Sequence, residues 1–464
     1  MAAQVLSSPA PLGLSLPSVA EAPTLSQKLL SLRHVLSSGA SIHEASELGF
    51  KALSSGWSDI NPISAGAFIN VATEQDVVAP ITWATMNSVP FQVRGSGHMW
   101  INSLTSSGVV INTRPLASIA IDAASGTATI GAGTLVSEAT DAAHTAHVHL
   151  PLAAVPPLRS GIDSLLSARV VTAAGELLTV TSESHQDLFY ALRGAGNSFV
   201  AVTEITMRAY PEINGGMHFS RDLSFAPSAI ETVAEAVNAL PRIPNANVQL
   251  YMVSPAPAFT PTLILNIWYA GTACEGSKHF APLFALGLTQ QIGSANCMIS
   301  ADRLNESVDE LAVFGGRKPP GSVMLKDLDA NGVRACWNDY SSFVKVNPGA
   351  KQSAVVFQVY DVAKSLELES LRGESAYPHR QFGIAASVVA KYEDAHLDAA
   401  AGEFVDETLQ VLTPKEGKNV YSNISRGGET LEKLFGSAER VERLREIKKT
   451  WDSANQFKGF ASLL

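Results

Sequence analysis

"LLSARVVTAAGELLTVTSESHQDLFYALRGAGNSFVAVTEITMRAYP", Leu165 to Pro211, alternates apolar with small or polar residues on both sides of the turn "AAG". That pattern predicts a β-hairpin. "HQDLFYALRGAG" then reads as a helix that stops on glycine, and "AVTEITMRAYP" as a strand closed by Pro211. Toward the N-terminus lie further short strands, "GAFINVAT", "PFQVRGSG", "GVVINTR", "ASIAID" and "TATIGAG", and then the helix "TLVSEATDAAHTAH". From Thr24 to Lys51 the leucine spacing in "LSQKLLSLRHVL" predicts helix. Strands mixed with short helices, without regular βαβ alternation, indicate an α+β fold.

Beyond Pro211 the strands lengthen: "VQLYMVS", "TLILNIWYAG", "AVVFQVYD" and "FGIAASVVAKY". "PSAIETVAEAVNAL" and "LDAAAGEFVDETLQVL" read as helices between them. This predicts a second lobe, a sheet with one face covered by helices. The final stretch, from "NVYSNISRGG" to "TWDSANQF", reads as a loop followed by a charged amphipathic helix.

With 464 residues, 46% of them hydrophobic, the chain exceeds what one core usually supports. A formal net charge of -10 without a Lys/Arg cluster argues against nucleic acid as a partner. Cys274, Cys297 and Cys336 are far apart and show no metal spacing, so no metal site is expected. The Pro/Ser/Ala-rich leader lacks a basic start and a long apolar run, and no segment is apolar enough to span a bilayer. The expectation is a cytoplasmic protein with no membrane partner.

Three glycine turns concentrate in the first lobe. "RGSGH" follows the strand "PFQV", "IGAGT" ends "TATI" and opens a helix, and "RGAGNS" follows a helix. Glycines let backbone N–H groups approach a ligand without a Cβ in the way, which suits phosphates. Tight turns alone would account for any single one. No GxGxxG lies between a first strand and a helix, and no GxxxxGK[ST] occurs, so neither a Rossmann site nor a P-loop is expected.

Taken in order, "PFQVRGSGH", "GVVINTRPLASIAIDAASGTATIGAG", the block Leu165–Pro211 and the closing segment from Tyr421 to Phe457 resemble FAD-linked oxidoreductases of the vanillyl-alcohol oxidase type, berberine-bridge-enzyme-like branch. The resemblance implies a PCMH-type FAD-binding domain beside a substrate domain whose antiparallel sheet is covered by helices. It divides the chain into a leader and first helix (1–40), the FAD domain (41–212), the substrate domain (213–415) and a segment returning to the FAD domain (416–464). FAD is the implied cofactor. His98 matches the histidine bonded to the flavin 8α carbon; the alternative is a ring packed on the flavin edge. Arg94, Gly95, Ser96 and Gly97 would cradle the pyrophosphate, with Gly131, Ala132 and Gly133 serving the same cofactor. Asn197, Val202 and Thr203 would lie along the flavin, and Tyr421 and Asn423 would approach it from the other lobe.

Two departures stand out. The family's glycine-rich segment, which in some members carries a second flavin-linking cysteine, is missing between "LPLAAVP" and "IDSLLSARVV". That removes a second covalent link and leaves weak FAD binding, altered binding or a skipped coding segment as readings. In the strand after His379 and Arg380, the positions where the family places an acid–base residue are Val388 and Ala385, or Ser387 with a shift of one. Candidate proton carriers nearby are Tyr392, Tyr360 and His379, though a packing role is open for each. Met99 and Trp100 stand where the family has smaller residues. The expected activity is oxidation of a small, largely apolar specialised metabolite by hydride transfer to flavin, with O2 as electron acceptor. The alternatives are a non-redox isomerase or pericyclase, or an inactive truncated relative.

Overall fold

The computed structural model describes residues 23–152, 161–286, 290–292, 298–304, 313–413, 417, 419–459 and 461–464. The leader and most of the shortened connection after Pro151 lie outside the described residues.

The first lobe is built around two larger sheets, with a two-stranded pair of Val148–His149 and Tyr210–Pro211 beside them. In one, β1 (Ser41–Glu44), β2 (Ala67–Asn70), β4 (Val109–Asn112) and β3 (Phe91–Arg94) lie side by side. β2 and β3 both run parallel to β4. The crossover from β2 to β3 is a helix, α2 (Gln75–Met86), which burial of Val77, Ile81 and Ala84 presses onto the sheet. The span expected to be helical from Thr24 to Lys51 is divided. α1 (Leu25–Arg33) starts on a Thr24 capping box, and β1 and a short helical turn follow. The break has a long-range cause: the buried Asp76 carboxylate accepts from the Ser37 N–H and hydroxyl at 2.7 Å each, pinning the chain.

The other sheet is antiparallel, in the order β5 (Ile119–Asp122), β6 (Thr127–Gly131), β9 (Ala201–Arg208), β7 (Leu165–Val171) and β8 (Leu177–Thr181). β7 and β8 are the hairpin read from sequence. Between β6 and β7 lies α3 (Val136–Thr145), and between β8 and β9 lies α4 (Gln186–Ala195).

In the second lobe β10 (Met217–Phe225), β12 (Thr262–Tyr269), β11 (Ala246–Val253), β14 (Ala354–Val359), β15 (Ile384–Val389) and β13 (Pro320–Leu325) pair antiparallel in that order. Successive side chains of a strand point to opposite faces. One cross-strand row reads Leu223, Leu265, Leu250, Phe357, Ala386 and Val323, all in the buried core. That face is covered by α5 (Ile230–Ala239), α6 (Ala330–Val346) and α7 (Asp398–Leu412). Val333, Cys336, Trp337, Tyr340, Phe343 and Val344 recur at helical spacing along α6, giving it one apolar side to bury.

The chain then returns to the first lobe. α8 (Ala438–Trp451) contributes Val441, Leu444 and Ile447 to the core around α4. Lys448, fully buried, donates to the carbonyls of Ser198 and Phe457 and to Asp452 at 2.5, 2.5 and 2.6 Å. Phe457 meets Phe91 edge-on at 5.2 Å.

Candidate functional site

The loop after β3 is built on glycine for a specific reason. Gly97 has φ +81, and a Cβ there would lie 2.3 Å from the Arg94 guanidinium. Among the described residues, the amides of Gly95 through Met99 have no backbone acceptor. With Ser96 and His98 exposed and Gly95, Gly97 and Met99 half-buried, this row of donors is open to water or to a ligand. His98, on the same loop, is exposed, yet desolvation by the protein around it disfavours the imidazolium and lowers its pKa. Arg94 departs from its expected role in the cradle. Its guanidinium donates to the carbonyls of Leu53 and Ser55, so it braces the loop from behind.

The second glycine turn works differently. The N–H groups of Gly131, Ala132 and Gly133 go to the carbonyls of Ser118, Thr203 and Leu116. A Cβ at Gly131 would stand 2.2 Å from the Leu116 carbonyl oxygen, and one at Gly133 2.2 Å from that of Thr113. Glycine here permits close backbone packing and leaves no amide for a phosphate, which corrects the nest read from sequence. The turn still belongs to the site: a Cβ at Gly95 would lie 3.0 Å from the Ala132 carbonyl. Thr203 joins through its backbone, because its hydroxyl is held by Glu74 at 2.7 Å. Val202 is half-buried against the core of α4 and α8.

The third turn couples the lobes. Gly194, at φ +144, lets the backbone of Tyr377 approach, and the Tyr377 N–H donates to the Arg193 carbonyl at 3.0 Å. Asn197 reaches back to the first loop, its amide 3.8 Å from the Met99 sulfur. Arg94, Gly95, Ala132 and Thr203 are thus brought together on one side, and Asn197 meets the far end of the same loop.

From the second lobe come Tyr360, Tyr377 and Tyr421. Each keeps accessible surface, and burial raises each hydroxyl pKa. The rings of Tyr377 and Tyr421 meet edge-on at 6.5 Å. Asn423 donates to the Tyr421 hydroxyl at 2.9 Å, and the Tyr421 N–H donates to Ser322 Oγ at 3.2 Å. Sequence reading missed Tyr377, since "SAYPHR" carries no periodic signal.

The other proton-carrier candidates are placed elsewhere. Tyr392 is buried, and its hydroxyl donates to Asp398 at 2.8 Å beside the Arg317–Asp398 ion pair. His379 donates from Nε2 to the Val420 carbonyl at 2.8 Å, and burial lowers its pKa to about 4. Both groups are occupied in holding the second lobe together. Next to His379, Arg380 forms a fully buried pair with Asp163 of the first lobe, two contacts at 2.7 Å.

The helix-free face of the large sheet is partly polar. Beside the apolar row runs a row of Asp222, Asn266, Gln249, Gln358, Ala385 and Met324. Tyr360 follows Gln358 on the same side of the chain. Asn266 donates to Asp222 at 2.7 Å, and burial raises the Asp222 pKa. Ala385 and Ser387 face this side, whereas Val388 is fully buried among the helices. Among the described residues no group of side chains is arranged to hold a metal, and no helix is long and apolar enough to cross a membrane.

The open amide row, the close backbone approach that Gly95 permits and the exposed imidazole fit the pyrophosphate and ring edge of FAD. Comparisons with known proteins agree. A sequence model for an FAD binding domain matches residues 65–162. The FAD-linked oxidoreductase hasG of Aspergillus fumigatus is 30% identical over 430 residues, covering 86% of this chain and 91% of its own. OXR1 of Pyricularia oryzae, also an FAD-linked oxidoreductase, is 24% identical over 88% of this chain and 86% of its own. Among solved structures, Physcomitrella patens BBE-like 1 superposes with TM-score 0.78 at 16% identity, over 95% of this chain and 99% of that one. The xylooligosaccharide oxidase of Myceliophthora thermophila gives 0.77 at 15%, over 94% and 98%. A relative 30% identical over most of both chains, with an FAD-binding domain matched in the first lobe, places this chain in the family of FAD-linked oxidoreductases, and its fold is that of BBE-like 1.

Proposed function

We propose that the protein oxidises a small organic molecule held between the lobes, with O2 as the final electron acceptor. Bound FAD supplies the two-electron chemistry. The observation that carries this reading is the row of open amides from Gly95 to Met99 beside an accessible His98. Those amides, with Ser96, hold the pyrophosphate. Gly131, Ala132 and Gly133 shape the wall behind it, and Asn197, Val202 and Thr203 border the ring system. Tyr421, oriented by Asn423, closes the site from the second lobe. His98 tethers the cofactor.

Tyr360 and Tyr377 carry hydroxyls that can donate a hydrogen bond to the substrate while hydride leaves. Their raised pKa values keep them protonated at neutral pH, so their first role is to donate a hydrogen bond to a substrate oxygen. The polar row from Asp222 to Gln358 supports a largely apolar substrate that also bears hydrogen-bonding groups.

The test is the absorbance spectrum of the purified protein before and after acid precipitation. Flavin bands are expected to stay with the pellet and to pass to the supernatant in His98→Ala. A colourless protein that takes up no added FAD would overturn the reading.

A further inference from the structure

His98 does not stand alone. The indole of Trp57 lies against its ring, centroids 5.1 Å apart and planes 24° from parallel. On the Trp57 ring sits the Lys318 ammonium, 4.9 Å from the centroid. Trp57 is 6% exposed and Lys318 0%. Lys318 Nζ donates to the carbonyls of Trp57, Val313 and Gly315, which fixes it on the indole.

The segments that carry these two residues are laced together. Gly315 N–H donates to the Gly56 carbonyl, Asp59 N–H to the Gly316 carbonyl, and Lys318 N–H to Ser58 Oγ at 3.1, 2.9 and 2.9 Å. Gly316 N–H donates to the Asp59 carboxylate at 2.8 Å. Removing a charged group wholly from water is costly. A clasp between backbone segments could be made with apolar side chains and the same backbone bonds, so the charge calls for a separate reason.

We propose that Trp57 and Lys318 are positioning residues for flavin attachment at His98, the indole fixing the plane of the imidazole and the buried ammonium standing behind that indole. This rests on the FAD reading above and on His98 as the tether. Attachment needs an imidazole nitrogen with a free lone pair, and a second cation beside the same indole is unfavourable. Burial is the first influence that disfavours the imidazolium, a hydrogen bond with the His98 backbone opposes it, and the Lys318 charge adds to the effect of burial. Burial lowers the Lys318 pKa to about 8, with Lys391 acting in the same direction and Asp59 and Glu393 opposing it, so the ammonium is charged at neutral pH and below. Arg94, on the loop itself, is turned to the carbonyls of Leu53 and Ser55.

In the attachment step a bond forms between an imidazole nitrogen and the flavin 8α carbon. The imidazole loses its N–H proton and the 8-methyl group loses one C–H hydrogen. The two electrons of that C–H bond pass into the flavin ring, and O2 removes them with two protons as hydrogen peroxide.

The experiment uses the full chain prepared without flavin, to which FAD is added over a pH series. Covalent attachment is followed by intact mass and by flavin in the acid precipitate. In Lys318→Met, FAD should still bind, but the acid limb of the attachment rate should move up by about one pH unit, a tenfold loss on that limb. Lys318→Arg, which keeps the charge, should restore the wild-type limb. Trp57→Leu should slow attachment about tenfold at every pH. Unchanged profiles in both Lys318→Met and Trp57→Leu would overturn this proposal and leave the FAD reading standing. FAD bound by the wild type without a covalent link would overturn the tether and the proposal together. Should Lys318→Met fail to fold, Trp57→Leu decides: an unchanged rate overturns the proposal, and a slowed one sustains it.

Discussion

At the scale of single residues, two positions have consequences that can be measured directly. Gly97 sits at φ +81 with the Arg94 guanidinium where a side chain would begin. A β-carbon in the left-handed region costs roughly 1–2 kcal/mol, so Gly97→Ala is expected to lower the melting temperature and weaken FAD retention, read by thermal melting and by titration with FAD. The second consequence concerns acid. Burial holds His218 and His379 neutral, lowering both to about 4. The unfolded chain takes up those protons near pH 6.5, the folded chain only near 4. Their contribution is therefore complete above about 6.5 and is lost as pH falls toward 4. Denaturant unfolding at pH 7 and pH 5 should show the wild type losing about 1–2 kcal/mol more per histidine than a His218→Gln, His379→Gln double variant.

At the scale of elements, α6 and α7 meet through Phe343 and Phe404, whose rings stack at 4.3 Å and 1°. Phe343→Ala opens a cavity under both helices and should cost about 3–5 kcal/mol, measured by denaturant titration. These helices and the strands they cover were legible in the sequence, because their apolar spacing matches the period of the element that buries it. α2 was not read: Pro80 stands inside it and masks a start at which Thr73 and Asp76 hydrogen-bond reciprocally. The helix read through Lys51 stops early because Asp76 captures Ser37 from 39 residues away, a contact no local period reveals. At the site, the glycine loop was legible from composition. The functions of its neighbours were not, since "GAG" looks the same whether its amides face a phosphate or the carbonyls of Ser118, Thr203 and Leu116. Trp57, Lys318 and Tyr377 gave no signal, because only the folded chain sets them beside His98 and Tyr421.

At the scale of the whole molecule, the lobes are joined by buried charge as well as by backbone. Asp163 and Arg380, each with its side chain 2% exposed, link the first lobe to the second. Removing one partner leaves the other charged and desolvated, which costs about 3–5 kcal/mol. Arg380→Met should therefore destabilise the protein far more than Arg317→Met, whose partner Asp398 is 40% exposed and worth about 1 kcal/mol or less. The two variants can be compared in one set of urea titrations. The clasp between residues 56–59 and 315–318 has a consequence for biosynthesis. Ser58 waits for Lys318, 260 residues further along. At roughly 5–20 residues per second on the ribosome, that is an interval of about 13–50 s. During it residues 56–59 lack the second-lobe segment that clasps them. Nascent chains of this protein should accordingly remain protease-sensitive around Trp57 until the second lobe has emerged.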